Sequence, residues 1–327
     1  MFIVALTEHR ILGPVLVPCM AVPHPPCLEV ESILRPKDID NQKYSLSVAE
    51  KEIVRLAGKY SQTNLLARFS RNGNPDEFFS AHNADFLKKQ VIPYVEKQIV
   101  AIIRLMMGST IPLYKKDSKY TRLYEEDLIQ VPTTFASADF RFSRTGNGTE
   151  YRLRLWQGDH EIKVLNRNVQ VIAQEPAIFL YGNQLNIFRD IGFKKINPFL
   201  TKEAISIPPE MEEKYYRNFV AGIVAEHPVK ASGFLLNEIN KPPVPVLSME
   251  NDLAGMPVFV LRFSYSGKEI LWTERKQFFV SVDFSGNECR IDRLHREKST
   301  EDASVRYLLG LGLEEKSGVF GIPNLRV

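Results

Sequence analysis

Along the first 130 residues the apolar positions fall into two different rhythms. Met1 to Leu6 and Gly13 to Val17 alternate or run apolar as strands do, around a polar corner at Thr7 to Arg10. The prolines of the following PCMAVPHPPC stretch are expected to end the ladder there, because proline brings no N–H to a sheet. From Ser45 the spacing becomes helical. Ser47 with Glu50 three residues later is a capping-box pattern, and Val48, Ile53, Leu56 and Ala57 form an apolar stripe behind it. A second short helix is predicted over Thr63 to Ser70. The longest helical signal spans Asn83 to Met107, with Phe86, Leu87, Val91, Val95, Ile99, Ile102, Ile103 and Met106 on one face. Pro93 is expected to kink or split it.

Past Val131 the period changes to two. Short alternating runs cover Phe135 to Phe142, Thr149 to Trp156, Glu161 to Leu165, Val169 to Ile172, Ala177 to Tyr181 and Gln184 to Phe188, separated by turns such as Gly146-Asn147-Gly148. This is the signature of an antiparallel meander. A helix interrupts it from Pro208-Pro209 to about His227, with Tyr215, Phe219, Val220, Ile223 and Val224 at helical spacing. A proline-rich connector, Lys241 to Pro245, leads to a hairpin: Leu261, Phe263 and Tyr265 share one face of a strand, Ser266-Gly267 turns, and Glu269 to Thr273 returns. A strand over Phe278 to Phe284 and a helix from about Thr300 to Leu311 complete the series. Strands and helices are grouped instead of alternating, so the predicted class is α+β: a helical N-terminal part followed by antiparallel β meanders with a few packed helices. Three regions are expected: 1–130 of mixed strand and helix, 131–240 as meander with one helix, and 241–327 as hairpins with a terminal helix.

Bulk properties narrow the setting. A chain of 327 residues, 44% of them apolar, is long enough for a full core, and its net charge of +3 leaves room for a local basic patch only. Three cysteines do not suggest a disulfide framework and fit a reducing compartment, so the cytoplasm is the expected location. Glu8, His9 and Arg10 break the apolar start, which argues against a secretory signal, and the most apolar helical stretch, Gln98 to Gly108, is short and contains Arg104. A membrane partner is therefore not expected.

Catalytic signatures fail on spacing. Gly267-Lys268 has Arg262 where a phosphate loop needs its first glycine and Glu269 where it needs a hydroxyl for magnesium. Cys19, His24 and Cys27 are zinc-type donors without a close cysteine pair, in a loop stiffened by Pro23, Pro25 and Pro26, so no metal is expected. His160-Glu161 places Val164 where a zinc-protease helix needs its second histidine. Gly146-Asn147-Gly148 and Gly310-Leu311-Gly312 lack the third glycine of a dinucleotide loop. No catalytic or cofactor-binding residue is assigned, and facing carboxylates remain as the hydrolase alternative.

Two basic features carry a positive signal. In YRLRLWQ, alternation puts Tyr151, Leu153 and Leu155 on one face and Arg152, Arg154 and Trp156 on the other, where Arg141 from the neighbouring strand is able to join them. Lys115 and Lys116, with Lys119 and Arg122, form a second run just before. Arginines beside an aromatic suit phosphate neutralisation and base stacking, although arginines also occupy the wet face of ordinary sheets.

The stretch VPVLSMENDLAGMPVFVLRFSYSGKEI, followed by RIDRLHREKSTEDASVRYLLGLGLEE, resembles the accessory region that precedes the motor in bacterial SWI/SNF-type, RapA-like helicases. The likeness rests on Leu247, Glu250, Asp252, Phe263, Tyr265, Gly267, Arg290, Arg293 and Leu311-Gly312-Leu313. LTEHRILGPVLVPC, NLLARFSRNGNPDEFF and PLYKKD are similar to the long leader of such proteins from Bacteroidetes-type bacteria. The cysteine-rich zinc module at the start of some related helicases has no counterpart in Cys19 and Cys27. The resemblance implies a non-catalytic N-terminal accessory region that positions DNA or RNA or restrains its own motor, with ATP and magnesium bound only in a motor beyond Val327. The alternative is a protein-interaction or autoinhibitory module without nucleic-acid contact, docking through apolar surface such as Phe278 and Phe279.

Overall fold

The computed structural model describes residues 1–41, 44–70, 73–117, 119–252, 255–285 and 288–321. The fold is α+β, with several mostly antiparallel sheets and packed helices, and the chain divides into two compact units. The first unit is Met1–Asp139 with Leu153–Ala204; the second is Phe140–Arg152 with Ile205–Val327.

The first unit is organised by the strand Phe2–His9, which is buried on both faces. Phe2, Val4 and Leu6 face a large core built with the helices, while Ile3 and Ala5 face a smaller cluster with Cys19, Ala21 and Leu123. The alternation explains why its sequence reads as an apolar run. Its neighbour, Gly13–His24, is longer than the prolines predict. It continues through Pro18 and Pro23 and pairs with Cys27–Ile33 across a turn that contains a cis Pro25–Pro26 bond. The expected break at PCMAVPHPPC is therefore corrected. The Pro18 carbonyl accepts from the Leu34 N–H at 2.9 Å, so the prolyl nitrogen faces the side where the third strand has already ended, and the sheet tolerates its missing donor.

The six strands of this sheet run Arg122–Leu123, Cys27–Ile33, Gly13–His24, Phe2–His9, Leu113–Lys115 and Leu128–Ile129 across its width. Helices Val48–Gly58 and Ile92–Met106 pack on one face, burying Ile53, Val54, Ile99, Ile102 and Ile103, each a contribution on the order of 1.5–3 kcal/mol before entropy is counted. The Ser47 capping box forms as read, with Glu50 N–H on Ser47 Oγ at 3.3 Å and Ser47 N–H on Glu50 Oε2 at 2.6 Å. The Asn83–Met107 signal is split as Pro93 requires. A short turn at Ala84–Phe86 passes into a π-helical turn over Leu87–Val91, and the regular helix starts at Ile92 with the proline in its first turn. A three-stranded meander, Val169–Ala173, Ile178–Tyr181 and Gln184–Ile187, completes this unit's core. The strand expected over Glu161 to Leu165 stops at Glu161, since Val164 is buried in the loop that follows.

In the second unit, the hairpin Pro257–Tyr265 and Lys268–Leu271 has the predicted facing: Leu261, Phe263 and Tyr265 are buried and meet Val305 and Leu308 of the helix Lys298–Gly310. Ser266 and Gly267 both have positive φ, the mirror-type turn that matches strand twist. Two buried polar networks brace this unit. Arg296 is wholly enclosed and grips Glu301 through Nε to Oε1 at 2.8 Å and Nη2 to Oε2 at 2.6 Å, while Tyr265 donates its hydroxyl to the same carboxylate at 2.6 Å. Glu212 accepts from Arg144 Nε at 2.8 Å and Thr149 Oγ1 at 2.6 Å. Among the described residues, no helix is long and apolar enough to cross a membrane.

Candidate nucleic-acid interface

The residues of the two basic features meet different fates. On the strand Gly148–Gln157 the alternation is as read, with Tyr151 and Leu155 buried, Arg152 exposed, and Arg154 and Trp156 half-buried. Both arginines are, however, occupied by carboxylates of their own sheet: Arg152 Nε contacts Glu150, and Arg154 Nε lies 3.7 Å from Glu161. Such pairs are solvated and worth little in stability, yet each neutralises a cation that a phosphate would otherwise meet. Arg141 is half-buried on Ser137–Thr145, in register with Lys230 of the parallel strand Val229–Ser232. Arg141 and Arg152 belong to the second unit, Arg154 and Trp156 to the first.

Lys115, Lys119 and Arg122 are placed otherwise. The chain leaves the sheet after Leu113–Lys115 and re-enters it four strands away, at the edge strand Arg122–Leu123, opposite Leu28 and Glu29. Anchors at both ends fix this excursion: Lys116 N–H on the Leu6 carbonyl at 2.8 Å, and Val30 N–H on the Thr121 carbonyl at 2.9 Å. It walls an open groove of about 580 Å³ lined by Lys115, Lys119, Tyr120, Arg122 and Tyr124 together with Asp117 and Asp127. Tyr120 is 66% exposed and Tyr124 39%. Both aspartates are engaged by backbone amides, Asp117 with Lys119 N–H at 2.9 Å and Asp127 with Tyr124 N–H at 2.8 Å. Among the described residues, no carboxylate lies in ion-pair range of Lys115, Lys119 or Arg122. Lys116 stands outside the lining and turns its ammonium to the Asp117 carbonyl, 3.1 Å away.

Three cations and two exposed phenol rings on one open groove match what a single nucleic-acid strand requires: charge for the phosphates and flat surfaces for bases. The sequence alone does not single out Tyr120 and Tyr124. Their signal was the interleaving of aromatics with cations in KKDSKYTRLY, which the turn-rich texture of that stretch conceals.

The remaining candidates do not assemble. Cys19 is enclosed in the sheet and its thiol is pushed up to about 11, by burial first, with the Lys116 charge opposing. Cys27 is half-buried, its thiol on the His24 carbonyl, and His24 turns outward to within 3.7 Å of Glu29. No group of three metal-type donors is found among the described residues. The carboxyl of Glu96 is held above its ordinary value, by burial first and by the Glu175 charge next in that direction, while Gln174 N–H opposes. Glu175 borders a groove of about 760 Å³ whose lining also includes Glu52, Leu56, Val100, Leu105 and the cations Lys97 and Arg104. Phe278 lies half-buried beneath the Arg293 guanidinium, 4.1 Å from the ring centroid, and Phe279 packs on the unit's core. Both rings remain partly exposed.

Comparison with protein-family models, with curated proteins and with solved structures gave no match for this chain.

Proposed function

We propose that this chain is a non-catalytic binding module that holds a single strand of nucleic acid in the Lys115–Asp127 groove. The observation that carries the reading is the convergence of Lys115, Lys119 and Arg122, with no carboxylate among the described residues in ion-pair range, and the exposed rings of Tyr120 and Tyr124. Phosphates would neutralise the cations with release of counterions, and bases would stack on the phenols without base-specific readout. The preference over the Arg152–Arg154 face follows from pairing: those arginines already hold glutamates. The resemblance of the 244–315 stretch to the accessory region of SWI/SNF-type helicases supports a cytoplasmic role beside such a motor, delivering the strand or restraining the ATPase, with ATP and magnesium confined to the motor.

Fluorescence anisotropy with a labelled oligonucleotide, single-stranded and then duplex, tests this. Tyr120→Ala should weaken single-strand binding by about 5- to 150-fold, the equivalent of one stacked base. Arg152→Ala should change it little. Equal loss from both variants, or no binding by the wild type, would remove the groove from the account. If the wild type does not bind yet alters the ATPase rate of a SWI/SNF-type motor added in trans, the interaction-module alternative takes its place.

A further inference from the structure

The strand Val244–Asn251 is the outer strand of its sheet, paired on one side only, with Pro257–Tyr265. Its orientation follows from the register. Trp272 N–H donates to the Leu261 carbonyl, so Leu261 turns its backbone groups away from Val244–Asn251, and by alternation Val260 and Arg262 turn theirs toward it. Their partners Ser248 and Val246 therefore close the ladder, which leaves the N–H and C=O of Leu247 and Met249 aimed outward from the sheet. The side chains of these same residues are apolar and exposed, Leu247 at 42% and Met249 at 70%. They stand directly across from Leu261 and Phe259, so they continue the face that forms this unit's core.

Open outer strands are ordinarily protected by lysine, by inward charge or by shortness. Here the strand is eight residues long, and its single charge, Glu250, is on the opposite face, bound to Arg262 Nη1 at 2.6 Å. Pro245 withholds one donor at one end, and nothing else on the strand discourages pairing.

We propose that a second copy of this chain occupies this edge, the two Val244–Asn251 strands pairing antiparallel about a two-fold axis at Leu247. The strand is complementary to itself in that register. Leu247 meets Leu247, Met249 meets Pro245, Ser248 meets Val246 and Glu250 meets Val244, so apolar side chains extend the core face on one side and no like charges oppose each other on the other. Leu247 exchanges both backbone bonds with its twin, and each Met249 N–H reaches a Pro245 carbonyl.

Sedimentation equilibrium of the whole chain over a range of concentrations, read with amide hydrogen exchange, tests the proposal. The expected result is a reversible dimer in which the Leu247 and Met249 amides gain protection as concentration rises. Met249→Lys should raise the dissociation constant at least tenfold, and Leu247→Lys likewise. Because both side chains are exposed, the melting temperature of dilute protein should hold steady. A single-chain mass throughout overturns the proposal. So does a dimer indifferent to both lysine variants, and so does concentration-independent protection of those two amides, which would mean that another segment or partner covers the strand.

Discussion

Removing the Glu301 carboxylate should unfold the second unit more readily than any surface change in it. Glu301 and Arg296 are 2% and 1% exposed, and the guanidinium is enclosed with only backbone carbonyls as its other acceptors. In Glu301→Ala the guanidinium keeps its charge and loses both short contacts, while the Tyr265 hydroxyl loses its acceptor. Leaving a buried charge without its partner costs roughly 3–5 kcal/mol, a large share of the 5–15 kcal/mol that ordinarily holds a domain together. At the unfolding entropy of a unit of this size, that lowers the melting temperature by roughly 10–17 °C. Glu213→Ala is the control, because Glu213 meets Arg217 on an exposed helix face and such pairs are worth well under about 1 kcal/mol. Differential scanning calorimetry of the two variants beside the wild type reads the difference. The double variant Arg296→Met/Glu301→Leu should recover most of the loss, since apolar replacements leave no charge stranded. A Glu301→Ala melting within about 2 °C of the wild type would refute the reasoning, for it would mean that water already reaches the guanidinium.

Other expectations follow from the same geometry. Burial alone would raise the Glu301 carboxyl, but the hydrogen bonds from Arg296 and Tyr265 and the Arg296 charge outweigh it and hold the group below its ordinary value. A depressed carboxyl stabilises the fold above its unfolded value and loses that contribution as pH falls, so the wild type should lose more melting temperature on acidification than Arg296→Met/Glu301→Leu does. Glu96 has the opposite sign: its raised value means that ionisation works against the fold as pH rises, and Glu96→Gln should raise the melting temperature at pH 7 and leave it nearly unchanged at pH 4. Gly148→Ala should abolish stable folding of the second unit in circular dichroism melts, because Gly148 sits at φ +109° and a Cβ there would lie 2.2 Å from the Ile207 carbonyl oxygen.

What the sequence disclosed depended on whether the governing interaction was local. The Ser47–Glu50 capping box, the split ahead of Pro93 and the turn at Ser266-Gly267 are decided by neighbours within a few residues, and all three were legible. Short strands whose partners lie far away were not. Arg122–Leu123 is two residues long and exists because Leu28 and Glu29 receive it, and Val229–Ser232 is held by Phe140 to Ser143. Pro18 misled for the same reason, since whether a missing N–H matters depends on which strand lies beside it. For the interface, alternation found the correct outward face of Arg152 and Arg154 but gave no sight of Glu161 returning beside it. The Lys115–Arg122 run was visible as charge, whereas its groove required the return of Arg122–Leu123 beside Leu28 and Glu29, which only the fold supplies.

The salt dependence of single-strand binding tests the central claim most directly. Anisotropy titrations over a series of salt concentrations should give a straight line of log affinity against log salt, with a slope near −2 for three groove cations on a single strand. Lys115→Ala, Lys119→Ala and Arg122→Ala should each bring that slope closer to zero by about 0.7. Affinity that ignores salt, or a slope that survives the triple variant unchanged, would contradict the assignment of the groove.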